Sequence, residues 1–297
     1  MSELSRICLL GFGEVGQTLA SDFAVAGVKH LTVFDVLFSD SNSQPSRAAV
    51  AANVRLSRNA ADAATNADLI VSAVTAAQDL EAAQSVMGAM KRSAYFLDVN
   101  SVSPGVKTQA SARIAAAGGR YVEAAIMSPI APKRIASPML FGGTHAAEFL
   151  PLAKQLGFAG AEVFSDQVGL ASAAKMCRSV MIKGMEALLA ESLLTARHYG
   201  VESTVLDSLR NLFPAANWPT LARYMISRSL IHGRRRAEEM REVARTVAEA
   251  GIEPHMSSAS ALRQDWAADF REQASVEELE MMLDAVLAQA KAEKTSC

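Results

Sequence analysis

The feature that most constrains this chain is a group of three glycines directly after a short apolar run. Residues 7–10 read as a buried strand, and the motif GFGEVG then places Gly11, Gly13 and Gly16 at the start of a helical pattern. The first glycine permits a tight strand-to-helix turn, the second lets a pyrophosphate approach the backbone, and the third lets the helix lie close to its strand. The motif therefore predicts a dinucleotide-binding turn.

An acidic residue follows the glycines at the interval expected for a ribose ligand. The strand pattern HLTVF ends directly before Asp35, and a carboxylate there would bind the ribose hydroxyls and repel a 2′-phosphate. The sequence thus favours NAD over NADP. Other predicted cofactor contacts lie where later strands end. The full predicted set is Gly11, Phe12, Gly13, Glu14, Val15, Gly16, Asp35, Val74, Thr75 and Asn100.

The pattern of secondary structure predicts two domains. Short β-rich runs alternate with Ala-rich helical segments up to about Gly169, which favours a parallel sheet covered on both faces. A long helical pattern begins at Leu170, and no convincing strand follows it. The predicted fold is α/β, with a doubly wound Rossmann domain over residues 1–166 and an all-helical domain over residues 167–297.

Composition excludes several classes of function. The net charge of −2 argues against nucleic acid as a partner. Cys8, Cys177 and Cys297 form no metal-ligand spacing, which predicts no metal site and a reducing compartment. The apolar run at the amino terminus is too short for a signal peptide, and no stretch reaches about 18 consecutive apolar residues. We therefore expect a cytoplasmic protein with no membrane partner.

The segment VGLASAAKMCRS narrows the function. Gly169 is followed six residues later by Lys175 on a helix, and this combination resembles the β-hydroxyacid dehydrogenase family, which includes 3-hydroxyisobutyrate and 6-phosphogluconate dehydrogenases. Two looser similarities are DVNSVSP at 98–104 and EAAIMSP at 123–129. The resemblance implies an oxidoreductase in which Lys175 is catalytic, Ser101 and Ser128 bind a small hydroxy acid, and the helical domains pair in a homodimer.

The chain also departs from the family pattern. Ala171 replaces the second glycine before the lysine, and Arg178 and Ser179 stand where the family has an asparagine. The segment at 123–129 lacks the paired glycines of the family. The chain therefore resembles a divergent branch whose helical domain is marked by HGRRRAEEM, so we do not carry over the substrate of any named relative.

The chemistry of alcohol oxidation is consistent with the lysine. A base must take the hydroxyl proton while hydride leaves the same carbon, and an amine does this if its surroundings lower its pKa. Ser179 and Lys183 follow Lys175 at helical spacing, so we predict that both help to bind substrate. The alternative interpretation is that the lysines are ordinary helix-surface residues.

Alternatives stay open for the function and for one motif. The same fold could reduce an imine, although similar proteins that do so generally lack lysine at this place, or the chain could be an NAD(H) sensor without turnover. In HGRRRAEEM, the spacing of Arg234 to Glu238 and of Arg235 to Glu239 is typical of a solvated, salt-bridged helix face. His232 or Arg235 could instead hold an acidic group of the substrate.

Overall fold

The computed structural model describes residues 4–52, 54–211, 214 and 217–295, so Cys297 lies outside the described residues. The chain divides into two compact units, Met1–Met176 and Cys177–Cys297. This division falls inside a long helix, later than the boundary at 166 and 167 that the sequence pattern suggests.

The first unit contains a single eight-stranded sheet with the order β3-β2-β1-β4-β5-β6-β7-β8. The strands are β1 (Arg6–Leu10), β2 (His30–Phe34), β3 (Arg55–Leu56), β4 (Leu69–Ser72), β5 (Tyr95–Asp98), β6 (Arg120–Ile126), β7 (Met139–Gly142) and β8 (Ala161–Ser165). The helices of this unit are α1 (Glu14–Val25), α2 (Gln44–Ala52), α3 (Ala60–Ala64), α4 (Asp79–Val86), α5 (Pro104–Ala116) and α6 (Ala146–Gln155).

Side-chain alternation along the strands builds one core on each face of the sheet. In β1, Ile7 and Leu9 join a buried cluster with Phe23 of α1. Cys8 and Leu10 join a second cluster on the opposite face, with Ile114 of α5. Because helices cover both faces, the predicted doubly wound α/β fold is confirmed.

One strand runs against the predicted direction. β7 pairs with β6 in antiparallel register, whereas the other neighbouring strands are parallel. The physical reason is the connection: residues 127–138 contain only a short 3-10 turn, Arg134–Ala136, and a parallel return needs a longer crossover, usually a helix. The sheet is therefore mostly parallel rather than entirely so.

The second unit is helical in all of its described elements. α7 (Leu170–His198) begins in the first unit and continues into the second, followed by α8 (Glu202–Leu209), α9 (Trp218–Glu249), α10 (His255–Ala267) and α11 (Leu279–Thr295). A separate core contains Ile226, Phe270 and Leu283. A Cβ on Gly233 would lie 2.3 Å from the Gln264 carbonyl oxygen, so α9 and α10 need glycine at their contact. In the described part of the chain, no helix has the length and apolar character needed to span a membrane.

Candidate cofactor and active site

The three glycines of the motif have different structural roles. Gly11 has a φ of +90°, and a Cβ there would lie 2.3 Å from the Ala73 carbonyl oxygen. A Cβ on Gly16 would lie 2.1 Å from the Gly11 carbonyl oxygen. A Cβ on Gly13, the residue before α1, would meet nothing within 4 Å. The fold thus requires Gly11 and Gly16, while the open space at Gly13 beside a helix amino terminus fits the pyrophosphate of a dinucleotide.

These environments give a prediction that separates folding from binding. We expect Gly13→Ala to fold with an unfolding free energy within about 1 kcal/mol of the wild type, because nothing opposes the new methyl group and the helix loses only a cap preference. Its affinity for NADH should fall at least tenfold, since the methyl group occupies the approach to the backbone. Gly16→Ala should unfold at lower denaturant concentration. Urea titration measures the stability of each variant, and NADH fluorescence measures its affinity for the cofactor. If Gly13→Ala and Gly16→Ala lost the same amount of stability, the different roles given to the two glycines would be wrong.

Asp35 joins the end of β2 to the glycine turn. Its carboxylate accepts hydrogen bonds from the backbone N–H of Phe12 at 2.7 Å and of Leu37 at 2.9 Å. An ionised carboxylate has lone pairs for further donors, so the half-buried group can also accept ribose hydroxyls. The Phe12 ring is buried beside Phe38 and leaves only its backbone for a ligand, whereas Glu14 is exposed and Val15 is half-buried.

Asn100 holds the residues that follow β4, the strand next to β1. Its Oδ1 accepts a hydrogen bond from the Val74 N–H at 2.7 Å, and its Nδ2 donates to Ser72 Oγ at 2.9 Å and to Asp79 Oδ1 at 2.6 Å. The side chain is buried, and both of its amide hydrogens and its carbonyl oxygen have partners. Asn100 therefore acts on the cofactor edge by fixing Val74, while Thr75 is exposed one residue further on.

Buried charged groups that no sequence pattern predicted lie below this edge. Lys107 Nζ lies 2.6 Å from Asp98 Oδ1, and the Tyr121 hydroxyl donates to Asp98 Oδ2 at 2.7 Å. Burial, followed by the charge of Asp98, raises the pKa of Asp79 to about 7. These groups lie on different strands and helices, so no local spacing could reveal them.

The raised pKa predicts that Asp79 destabilises the fold at alkaline pH. Between its ordinary pKa of 3.8 and about 7, the folded state binds a proton that the unfolded state has lost. The stability that protonated Asp79 gives the folded state is therefore fully present below its ordinary pKa of 3.8. It is lost as the pH rises toward the folded-state pKa of about 7. Asp79→Asn keeps an acceptor for Asn100. We expect its unfolding free energy to exceed that of the wild type by about 1–3 kcal/mol at pH 8 and to match it at pH 4. A pH-independent difference in urea titrations would contradict this.

A buried carboxylate holds the amino terminus of α7. Glu123, on β6, accepts hydrogen bonds from the backbone N–H groups of Gly169 at 2.5 Å, Ala171 at 2.7 Å and Ser172 at 3.2 Å. The Ser172 hydroxyl donates to the carbonyl oxygen of Val102. Helix amino termini have unsatisfied N–H donors and favour negative charge. The first turn of α7 is thus tied to β6 and to the loop after β5.

This attachment places Lys175 at the edge of the sheet. Lys175 Nζ lies 2.6 Å from Ser101 Oγ, and both residues are half-buried. Ser101 follows β5, whereas Gly11 follows β1 and Val74 follows β4, and these three strands are parallel neighbours. The structure therefore brings the predicted catalytic lysine and one predicted substrate residue together, on the same edge as the glycine turn.

The other predicted substrate residues have different surroundings. Ser128 is half-buried just after β6, where its hydroxyl donates to the Pro129 carbonyl oxygen at 3.1 Å. Ser179 and Lys183 lie in the second unit, with Lys183 Nζ 3.5 Å from Ser179 Oγ and ion-paired with Glu239. Burial lowers the pKa of Lys183. Sequence spacing did not predict the carboxylate partner of Lys183.

Two sequence families match the chain. The family described as the NAD binding domain of 6-phosphogluconate dehydrogenase matches residues 6–169. A domain of unknown function, DUF1932, matches residues 196–267. The first match covers more than half of the chain and ends where the sheet unit gives way to α7.

Solved structures share this architecture. A conserved hypothetical protein from Sinorhizobium meliloti is 32% identical, with 97% of each chain covered and a TM-score of 0.75. The 3-hydroxyisobutyrate dehydrogenase of Mycobacterium tuberculosis is 18% identical, with 95% of this chain and 99% of that chain covered and a TM-score of 0.69.

More distant neighbours include imine reductases from Myxococcus stipitatus. One in complex with NADP+ has a TM-score of 0.53 at 17% identity, covering 95% of this chain and 99% of its own. A variant in complex with NAD+ has a TM-score of 0.55 at 17% identity, covering 96% and 100%. These last likenesses show the fold alone. Together, the matched families, the glycine turn and the sheet architecture show that the chain belongs to a divergent branch of the β-hydroxyacid dehydrogenase-like family, with an NAD-binding domain followed by a DUF1932 domain.

Proposed function

We propose that the protein is an NAD-dependent oxidoreductase that oxidises the alcohol of a small β-hydroxy acid, or reduces the corresponding carbonyl, with Lys175 as general acid and base. The observation that carries this proposal is the 2.6 Å contact of Lys175 Nζ with Ser101 Oγ. An amine and a hydroxyl held together at the carboxyl edge of a parallel sheet can both reach one substrate hydroxyl.

The residues of the first unit define the proton chemistry. A bound nicotinamide supplies the acceptor for hydride. In the oxidation, neutral Lys175 takes the proton of the substrate hydroxyl as the carbon loses hydride, and the Ser101 hydroxyl orients that oxygen. In the reverse direction, the Lys175 ammonium returns the proton to the carbonyl oxygen. Ser128, which follows β6 at the same sheet edge, is our candidate for a contact to the substrate acid group.

The cofactor preference that we propose rests on Asp35. Its carboxylate is held at the end of β2 by the Phe12 and Leu37 N–H groups, where it would repel the 2′-phosphate of NADP. Arg47 lies nearby in sequence but is exposed, and it donates to the Asn42 carbonyl oxygen. Fluorescence titrations with NADH and NADPH should therefore give the lower Kd for NADH.

A turnover screen tests the activity. Purified protein is assayed by NADH fluorescence with NAD and a panel of 3-hydroxy acids, and separately with NADPH or NADH and cyclic imines. Turnover of a hydroxy acid supports the proposal. Reduction of an imine alone would favour the second candidate function, imine reduction, because the chain shares its fold with the imine reductases above. NADH binding without turnover of either panel would favour a sensor.

We also propose that the protein is a homodimer formed through its second unit. Several large apolar side chains of that unit are more than half exposed, among them Met181, Leu188 and Tyr224. Apolar side chains exposed together on one surface mark a site that binds another protein, and the commonest homo-oligomer is a symmetric dimer. Sedimentation equilibrium should give twice the mass of one chain, and a concentration-independent monomer would refute the dimer.

A further inference from the structure

One face of α9 carries a surplus of positive charge. Arg228, His232, Arg235 and Arg236 recur at helical spacing, which places their Cα atoms along one side of the helix. Further charged groups within electrostatic range are Lys183 and Glu186 of α7, Glu239 of α9, and Arg271 of the 3-10 segment Ala268–Ser275. We call these residues the α9 arginine cluster. Five basic side chains thus share two carboxylates.

The carboxylates of the cluster already have partners. Glu186 pairs with Arg236, and Glu239 pairs with Lys183 while lying 3.9 Å from Arg235. Among the residues that the structure describes, Arg228 makes no ion pair or hydrogen bond. Its Nε is fully buried without a hydrogen-bond partner. A buried N–H donor without an acceptor has lost its hydration without a compensating hydrogen bond.

The pKa of His232 reflects the surplus of positive charge around it. Burial, followed by the charges of Arg228, Arg235, Arg236 and Arg271, lowers the pKa of His232 to about 4. The imidazole is therefore neutral at physiological pH.

The other side of α9 contrasts with this face, because Arg234 pairs with Asp265 and Asp269. The predicted pairing of Arg234 with Glu238 is replaced by these two contacts from α10 and the 3-10 segment.

We propose that the α9 arginine cluster binds an oxyanion, either a carboxylate or a phosphate group of a small molecule. Planar guanidinium groups donate two parallel hydrogen bonds to such anions. The guanidinium groups of Arg228, whose Nε has no hydrogen-bond partner among the described residues, and of Arg271 supply the binding groups. Arg235 is exposed at the same face. The site lies within the second unit and does not depend on the activity proposed above.

Calorimetric titration of the full chain tests the site with inorganic phosphate and, separately, with 3-hydroxybutyrate, at constant ionic strength maintained with sodium chloride. We expect saturable binding of one of them, weakened about tenfold or more by Arg228→Met. Arg241→Met is the matched control, since Arg241 is on the same helix but pairs with Asp265, and it should bind as the wild type does. The preferred anion identifies the ligand as a phosphate ester or a carboxylic acid.

A second measurement locates the bound anion. A negative charge beside His232 raises its pKa, so the imidazole NMR titration should shift upward when the binding anion is present and remain unchanged in Arg228→Met. Arg271→Gln is a second variant that keeps the test valid if Arg228→Met does not fold. The proposal is overturned if neither anion binds, if Arg241→Met weakens binding as much as Arg228→Met, or if binding leaves the His232 titration unchanged.

Discussion

Lys175→Met is expected to lower kcat for the hydroxy acid found in the screen by about 10²–10⁴-fold, the usual contribution of a positioned acid or base. Methionine has a similar length and cannot exchange the alcohol proton. The affinity for NADH should be unchanged, because the substitution leaves the glycine turn and Asp35 intact, the groups that we expect to bind the cofactor. Steady-state kinetics and NADH fluorescence measure the two effects on the same preparation.

Two further variants sharpen this test. Lys175→Arg retains the positive charge but cannot give up a proton at working pH, so it should be about as inactive as the methionine variant. Lys133→Met removes an exposed lysine of the first unit and should retain full activity. If Lys175→Met turned over substrate at the wild-type rate, the proposed proton transfer would be wrong.

Glu123→Ala is expected to lower the unfolding free energy by about 3–5 kcal/mol, because it leaves buried donors without an acceptor. Three backbone N–H groups of the α7 amino terminus donate to this carboxylate. The side chain is buried against Gly142, where a Cβ would lie 2.7 Å from Glu123 Oε1. Removing the carboxyl group therefore leaves a cavity as well as unpaired donors.

Glu123→Gln should be intermediate. Its amide oxygen can still accept hydrogen bonds, but its NH₂ group would face backbone donors, and the charge that favours the helix amino terminus is lost. Glu123 holds the start of α7, the helix that carries Lys175, so Glu123→Gln should also lower kcat. Its stability should fall less than that of Glu123→Ala. Glu162→Ala is the control, since Glu162 is exposed on β8. Urea titrations in which Glu123→Ala matches this control would disprove the role of Glu123.

Local patterns predicted much of the fold because they act over short distances. The apolar run at 7–10 coincides with β1, the strand pattern HLTVF with β2, and the helical pattern that begins at Leu170 with the start of α7. The two-residue strand Arg55–Leu56 was too short to produce a pattern. The direction of β7 depended on the connection that precedes it.

Only part of the candidate site could be predicted, because local patterns do not reach residues that are far apart in the chain. The glycine motif, Asp35 and Lys175 each follow from a local spacing or a resemblance, and the structure brings Lys175 to Ser101. Glu123 was read only as part of a loose motif, and its role as the acceptor for α7 was missed because its partners are more than forty residues away. The Asp79 network was missed because its members come from separate strands and helices.

The sequence by itself determined where most strands and helices and the glycine turn lie, since periodicity and glycine content are properties of neighbouring residues. Tertiary structure alone decided which charges are buried, which of them are paired, and how the lysine is held. Those outcomes depend on desolvation and on contacts between residues far apart in the chain, and no local pattern encodes either.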